Sequence, residues 1–148
     1  MAKRFLLIDD DSDDRELFSE ALSMVEPAII CYHATDAEEG YAWLQQNKEE
    51  PDLIFLDINL PVMDGWQLLM RLKESPLKHI PVIMYSTSSN AKDIRTAKEL
   101  GALCFITKPH AFRLLKGMLN VVVEHANKQD YGQLCAAVQA VAEGCDMR

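Results

Sequence analysis

The sequence has no long hydrophobic run, and this absence restricts where the protein can act. Its longest unbroken apolar runs are about five residues, whereas a membrane helix needs about 20. Residues 1–4 lead directly into an apolar run that is too short for the core of a signal peptide. We therefore expect a soluble, cytoplasmic protein that has no membrane partner.

Positive charge is also scarce. Fifteen Lys and Arg residues stand against 23 Asp and Glu residues, which gives a formal net charge of -8. A surface that binds nucleic acid needs positive charge to neutralise the phosphates. The charge balance therefore argues against direct binding of nucleic acid.

Cysteines are few, and their positions suggest no shared function. The four are Cys31, Cys104, Cys135 and Cys145, and no two have the C-x-x-C spacing. Each lies in or beside an apolar run. This pattern favours buried thiols in a reducing cytosol over a zinc site or a disulfide framework.

Five short, continuously apolar runs recur along the chain. None alternates apolar with polar residues, so both faces of each predicted strand should be covered, as in a parallel sheet flanked by helices. The runs are residues 5–8, 28–31, 53–56, 82–85 and 103–106.

The segments between these runs have a helical period. After the first run, Phe18, Leu22 and Val25 recur on one helical face, and Asp36 and Asn90 are expected helix caps. Five strands that alternate with five helices predict one α/β domain. We expect a doubly wound (βα)5, flavodoxin-like three-layer sandwich, whose parallel sheet has the order 2-1-3-4-5.

The last 21 residues are too few for a second domain. Leu134, Val138 and Val141 keep a weak helical stripe there. The stripe predicts one short C-terminal helix or an extension of the fifth helix, and we expect it to dock on its own domain.

Polar residues follow four of the five predicted strands. Asp9 and Asp10 follow the first strand and Asp57 the third, while Ser86 and Lys108 lie at the ends of the fourth and fifth. In the order 2-1-3-4-5 the first and third strands flank the point where the strand order reverses, which is where such sheets bind ligands. The three aspartates should therefore share one crevice.

Three neighbouring carboxylates repel one another unless a cation neutralises them, and a set of oxygen ligands suits Mg²⁺. Mg²⁺ keeps several positions for water and phosphate oxygens, so such a site invites a phosphoryl group. Lys108 is placed to pair with phosphate oxygens, and the Ser86 hydroxyl to form a hydrogen bond with another. The pattern therefore predicts phosphorylation of a carboxylate.

The acids that follow this cluster have a simpler interpretation. Asp11, Asp13 and Asp14 come at the start of the first predicted helix. Carboxylates are favoured there by the helix dipole. We expect all three to be solvated residues of the helix start.

The same polar residues carry a resemblance to a known family. Asp9-Asp10, Asp57, Ser86 and Lys108 occur in the order of its acidic pair, phosphoacceptor, switch hydroxyl and lysine, and DINLPVMDG at residues 57–65 fits its D-x-x-(M/L)-P-x-M-D-G pattern. In these features residues 3–127 resemble the receiver domain of two-component response regulators. The acidic run and residues 81–87 are also similar to the short stand-alone receivers found beside phytochrome-type and hybrid sensor kinases.

The resemblance implies a single-domain response regulator, with a receiver domain at 1–127 and a C-terminal helical tail at 128–148. Asp57 would accept a phosphoryl group from a sensor histidine kinase or a histidine phosphotransfer protein. The protein would not be a conventional enzyme, although it would catalyse its own aspartyl phosphorylation and dephosphorylation. It would signal through protein contacts, with a homodimer as one form.

The resemblance also implies a role for each residue of the site. Asp9, Asp10 and Asp57 would hold Mg²⁺ together with the backbone carbonyl of Asn59. Lys108 and Ser86 would assist Asp57 in phosphoryl transfer.

A switch is implied as well, formed by Ser86, Thr87 and Phe105. In the family a hydroxyl moves toward the phosphoryl group, and an aromatic ring on the last strand follows it. Here the hydroxyl belongs to serine rather than the commoner threonine, and the ring is phenylalanine. The family also tends to have a cis bond at the position between Lys108 and Pro109.

Two other functions share part of the pattern. A phosphatase of the haloacid dehalogenase type also uses an aspartate at a strand end and Mg²⁺, but it needs a second aspartate where this chain has Asn59. A pseudo-receiver is an interaction module that takes no phosphate. Loss of an acid or of the lysine would mark one, and neither is missing here.

Overall fold

The protein forms a five-stranded parallel sheet with helices on both faces, in a computed structural model that describes residues 3–144. The strands are β1 (Arg4–Ile8), β2 (Ile30–Ala34), β3 (Leu53–Leu56), β4 (Val82–Ser86) and β5 (Cys104–Thr107). The helices are α1 (Ser12–Val25), α2 (Ala37–Gln46), α3 (Gly65–Lys73), α4 (Ala91–Glu99), α5 (Phe112–Lys128) and α6 (Leu134–Ala142). The strand order is β2-β1-β3-β4-β5, which confirms the predicted doubly wound fold.

The core consists of two layers, one on each face of the sheet. On one face Phe5 and Leu7 of β1 pack with residues of α1, α5 and α6. On the other face Leu6 and Ile8 pack with residues of α2, α3 and α4. Successive side chains of a strand point to opposite faces, so a strand covered on both sides is apolar at every position.

The second strand begins later than the apolar run at residues 28–31 predicts. Residues 28 and 29 lie in the turn after α1, where the Ile29 N–H donates to the Glu26 carbonyl at 3.2 Å. β2 is an edge strand and is only partly covered, with His33 exposed. An edge strand needs no continuous apolar run, so the run at residues 28–31 predicted a strand that begins two residues too early.

The C-terminal segment folds back as a separate helix. After α5, Gln129 takes a left-handed backbone conformation with φ 54°, which ends that helix. α6 then packs on α5 and β5, and its Leu134, Val138 and Val141 are buried in the core. The prediction of a docked terminal helix is confirmed.

The cysteine prediction is correct only in part. Cys104 is buried and Cys31 half-buried, but Cys135 is exposed on α6. Leu134, Val138 and Val141 face the core, whereas Cys135 lies at the margin of this packed face, where solvent reaches it. Cys145 lies outside the described residues.

No helix within residues 3–144 is long and apolar enough to cross a membrane.

Candidate functional site

Charged side chains meet at the carboxyl ends of β1, β3 and β5. The Lys108 Nζ atom lies 2.8 Å from Asp9 Oδ2 and 3.0 Å from Asp57 Oδ2. Asp9, Asp10 and Asp57 each provide a carboxylate oxygen within 4.8 Å of the other two. The structure therefore brings together the three aspartates and the lysine that the sequence singled out.

The sheet backbone fixes the two buried acids. The Asp9 N–H donates to the Ala34 carbonyl at 3.0 Å, and the Asp57 N–H donates to the Ile8 carbonyl at 3.0 Å. Both bonds extend a parallel ladder by one residue beyond the strands. The two acids consequently lie side by side at the carboxyl ends of β1 and β3, where the strand order reverses.

Gly65 allows the loop after Asp57 to return to the sheet. The Gly65 N–H donates to the Ile58 carbonyl at 2.8 Å, and Asp64 caps α3 through a capping box with Gln67. A Cβ atom at position 65 would lie 2.1 Å from the Asp57 carbonyl oxygen. The glycine of the DINLPVMDG stretch is therefore a requirement of close packing.

Replacing Gly65 by alanine should destabilise the protein. The added methyl group would force the Asp57 backbone to move, and overpacking of this kind costs about 1–3 kcal/mol of unfolding free energy. Urea unfolding measures the loss. Gly132→Ala is the matched control, since a Cβ there would lie 3.6 Å from Asp130 Oδ1, an ordinary contact. Equal stability of the two variants would contradict the close approach at Gly65.

Lys108 is a nearly buried cation, with 8% of its side chain exposed. Burial by itself lowers the pKa of a lysine. Here three neighbouring carboxylates, those of Asp14, Asp9 and Asp57, outweigh burial and raise the pKa of Lys108 above its usual range. The site therefore contains a positive charge at any physiological pH.

Asp9 is fully buried, and burial raises its pKa from 3.8 to about 6, against the opposing effects of Lys108 and the Asp11 N–H. That N–H donates to Asp9 Oδ1 at 3.0 Å. Asp9 Oδ2 lies in the ion pair with Lys108 but accepts no hydrogen bond from the described residues. A buried carboxylate oxygen without a hydrogen bond, beside two further carboxylates, fits a divalent cation.

Asp9 should make the metal-free protein less stable as the pH rises. Its folded pKa lies above its ordinary value, so its favourable contribution is complete below pH 3.8 and is lost as the pH passes about 6. In EDTA, wild type should lose stability between about pH 4 and about pH 7, whereas Asp9→Asn has no carboxyl group there to ionise. The unfolding free energy of the variant minus that of wild type should therefore rise by on the order of 3 kcal/mol over this interval. Urea unfolding at both pH values tests this, and a constant difference would contradict it.

The other predicted residues lie at the periphery of this cluster. Ser86 is fully buried, and its carbonyl accepts the Lys108 N–H at 2.7 Å. Asn59 is exposed, and its N–H lies 3.3 Å from Asp57 Oδ1. Thr87 is exposed, and Phe105 is half-buried against the core layer of α4.

The peptide bond between Lys108 and Pro109 is trans, because the described residues contain no cis peptide bond. The cis bond that the resemblance implies is therefore wrong for this structure.

Asp14 is a site residue that the sequence analysis missed. Its Oδ2 lies 2.8 Å from Lys108 Nζ, so it is not a purely solvated residue of the helix start. Asp11 does behave as predicted, since its side chain caps α1 by accepting the Asp14 N–H. No local spacing in the sequence marks Asp14, because its contact is with Lys108, 94 residues further along the chain.

Arg15 adds a second contact from α1. Its Nη1 donates to the Asp9 carbonyl at 2.7 Å and so connects the helix to the end of β1.

Comparison with known families identifies this arrangement. The family model for the response regulator receiver domain matches residues 5–120. The chain belongs to the response regulator receiver family. The placement of the polar residues at the strand ends and the fold both agree with this assignment.

Relatives in sequence include response regulator Rcp1 of Synechocystis sp., which is 37% identical over 128 residues, or 81% of this chain and 84% of Rcp1. The chain is also 29% identical to the probable transcriptional regulator ycf27 of Guillardia theta, over 85% of this chain. It spans 47% of that protein.

Solved structures give the same assignment. The phosphorylated cyanobacterial phytochrome response regulator RcpA is 34% identical, with a TM-score of 0.80 over 87% of this chain and 96% of RcpA. The Mn²⁺-bound form of Rcp1 is 33% identical, with a TM-score of 0.72 over 83% of this chain and 92% of that one. Chemotaxis response regulator CheY4 of Vibrio cholerae, at 23% identity and a TM-score of 0.71, shares the fold over 85% of this chain and 99% of its own.

Proposed function

We propose that the chain is a phosphoacceptor module of a two-component pathway and that Asp57 is the residue phosphorylated. The observation that carries this proposal is the position of Asp57, which contacts Lys108 at 3.0 Å and shares one crevice with Asp9 and Asp10. A nucleophile, a fixed cation and two further acids are thus adjacent. The pseudo-receiver alternative is not favoured, because none of these groups is missing.

The resident metal in this proposal is Mg²⁺. Asp9, Asp10, Asp57 and the Asn59 backbone carbonyl would hold it, and the Asp9 oxygen without a hydrogen bond supports this assignment. When bound, the ion neutralises the acids and attracts phosphoryl oxygens. The Mn²⁺-bound form of the similar Rcp1 supports a divalent ion here.

Phosphoryl transfer would begin with a phosphohistidine of a sensor kinase or a phosphotransfer protein. A carboxylate oxygen of Asp57 attacks the phosphorus in line, the O–P bond forms, and the N–P bond breaks. The imidazole nitrogen keeps the electron pair and takes a proton from solvent. Lys108 and the Ser86 hydroxyl bind phosphoryl oxygens, so the protein contributes mainly position and charge.

The product is an acyl phosphate, which water hydrolyses to regenerate Asp57. The protein thus promotes both its own phosphorylation and its own dephosphorylation. Its output passes through contacts with other proteins or with a second copy.

The signal would leave the site through Ser86, Thr87 and Phe105. In the pairing of β4 with β5, Met84 lies opposite Phe105. The Phe105 ring is therefore on the strand next to the one that carries the Ser86 hydroxyl. A shift of Ser86 toward the phosphoryl group would open space for this half-buried ring. Phosphorylation would thereby change the surface formed by α4 and β5.

The module boundaries follow the same proposal. We place the receiver domain at residues 1–127 and the C-terminal tail at residues 128–148, whose described part ends at residue 144. In support, α5 ends at Lys128 and α6 is a separate helix.

Acetyl phosphate tests the proposed function without a partner kinase. With Mg²⁺, the intact mass of the protein should increase by one phosphoryl group, and EDTA should prevent the increase. Hydroxylamine should remove the group, as expected of an acyl phosphate. A folded protein that gains no mass with Mg²⁺ would instead be a pseudo-receiver.

A further inference from the structure

Two thiols meet at the free edge of the sheet, on β5. Cys104 is the first residue of β5, and Cys135 is the second residue of α6. The Cys135 thiol donates to the Leu103 carbonyl at 3.0 Å, which holds its sulfur beside the β5 backbone. Leu103 directly precedes Cys104, and the Cys104 and Cys135 side chains line the same cavity. They are therefore neighbours in space although they are far apart in the sequence.

The two thiols differ in exposure. Cys104 is buried, whereas Cys135 is exposed. Both line a cavity of about 380 Å³ between α4, β5 and α6, together with Lys98 and Phe105. A small oxidant can therefore reach Cys135 from solvent, and the buried Cys104 borders the same cavity.

The thiols also differ in acidity. The neighbouring Cys104 thiol, supported by the positive charge of Lys98, lowers the pKa of Cys135 to about 7 against the effect of burial. The neighbouring Cys135 thiol and burial together raise the pKa of Cys104 above its usual range. Cys31 is a useful contrast, because burial raises its pKa to about 12. The thiolate is the reactive form, so Cys135 should react first.

We propose that Cys135 and Cys104 form a peroxide-sensitive dithiol site that closes to a disulfide between α6 and β5. The Cys135 thiolate attacks one oxygen of hydrogen peroxide, the O–O bond breaks, and sulfenic acid and hydroxide form. The Cys104 sulfur then attacks the Cys135 sulfur, the S–O bond breaks, and the departing hydroxide takes the Cys104 proton to become water. In total two thiols lose two electrons and two protons, and one peroxide becomes two waters.

The disulfide has a structural consequence. It joins α6 covalently to the edge strand, next to Phe105 and the α4 side of the cavity. α6 would then be unable to leave β5, so oxidation would fix the C-terminal helix in its docked position. Reduction by a dithiol would release it.

The test uses the full chain as a Cys31→Ser/Cys145→Ser variant, which retains only the proposed pair. Hydrogen peroxide should lower its intact mass by two hydrogens and yield one cross-linked peptide pair that contains Cys104 and Cys135. Dithiothreitol should reverse both changes. With Cys104→Ser added, Cys135 should remain as sulfenic acid that dimedone traps. With Cys135→Ser added, Cys104 should stay reduced under the same treatment.

Wild type completes the test, because all four cysteines then compete. The same Cys104–Cys135 cross-link should dominate, and Cys31 should oxidise last. The proposal is overturned if Cys135 joins another cysteine instead, if it is oxidised to sulfinic acid without a cross-link, or if Cys31 reacts first.

Discussion

Asp57→Asn should reduce phosphoryl incorporation from acetyl phosphate to background. The amide has nearly the shape of the carboxylate, but it lacks the anionic oxygen that attacks phosphorus. Lys108 would keep its contacts with Asp9 and Asp14, each at 2.8 Å, so the fold should remain intact. Intact mass spectrometry with Mg²⁺ measures the effect as one phosphoryl group in wild type and none in the variant.

Asp13→Asn is the matched control for this experiment. Asp13 is an exposed residue in the first turn of α1, and it lies outside the group of aspartates whose oxygens converge. The same chemical change there should leave incorporation unaltered. A phosphoryl group found on Asp57→Asn would mean that another residue is the acceptor and that the proposed roles are wrong.

Lys108→Met should impair both phosphorylation and stability. Loss of a fixed cation that neutralises developing charge slows a reaction by roughly 100- to 1,000-fold. Removing one partner of a buried ion pair costs about 3–5 kcal/mol of unfolding free energy. We expect the lower end of that range, because Lys108 lowers the pKa of the buried Asp9, so that loss of the lysine raises this pKa further and favours uptake of a proton.

Mg²⁺ separates the two roles of Lys108. In Lys108→Met the ion should recover part of the stability, because it replaces the lost positive charge among the acids. It should not recover the phosphorylation rate, because no side chain then contacts the phosphoryl group in place of Lys108. Lys128→Met, a change at an exposed position at the end of α5, should alter neither quantity. Full activity of Lys108→Met would contradict the role given to the lysine.

The sequence predicts best the strands whose composition is set by burial on both faces of the sheet. β1, β3 and β4 are covered on both faces, so apolar runs mark them to within a residue. The order of the strands follows from handed crossovers, and it brings Asp9, Asp10 and Asp57 together. Here topology alone was enough to locate the site.

The residues that sequence missed depend on contacts between elements. β2 is an edge strand, so backbone pairing with β1 rather than apolarity sets its limits. Asp14 joins the site only because the packing of α1 brings its Oδ2 atom within 2.8 Å of Lys108 Nζ. No local pattern in the sequence encodes that contact. The exposure of Cys135 depends in the same way on which face α6 turns toward β5.

The central claim is that Asp10 and Asp57 hold a divalent ion beside the oxygen that accepts phosphorus. Anomalous diffraction from crystals grown with Mn²⁺ and beryllofluoride tests it most directly. The account predicts one strong metal peak that contacts the Asp10 and Asp57 carboxylates, with beryllofluoride attached to Asp57. A metal peak elsewhere, with Asp57 unmodified, would contradict it.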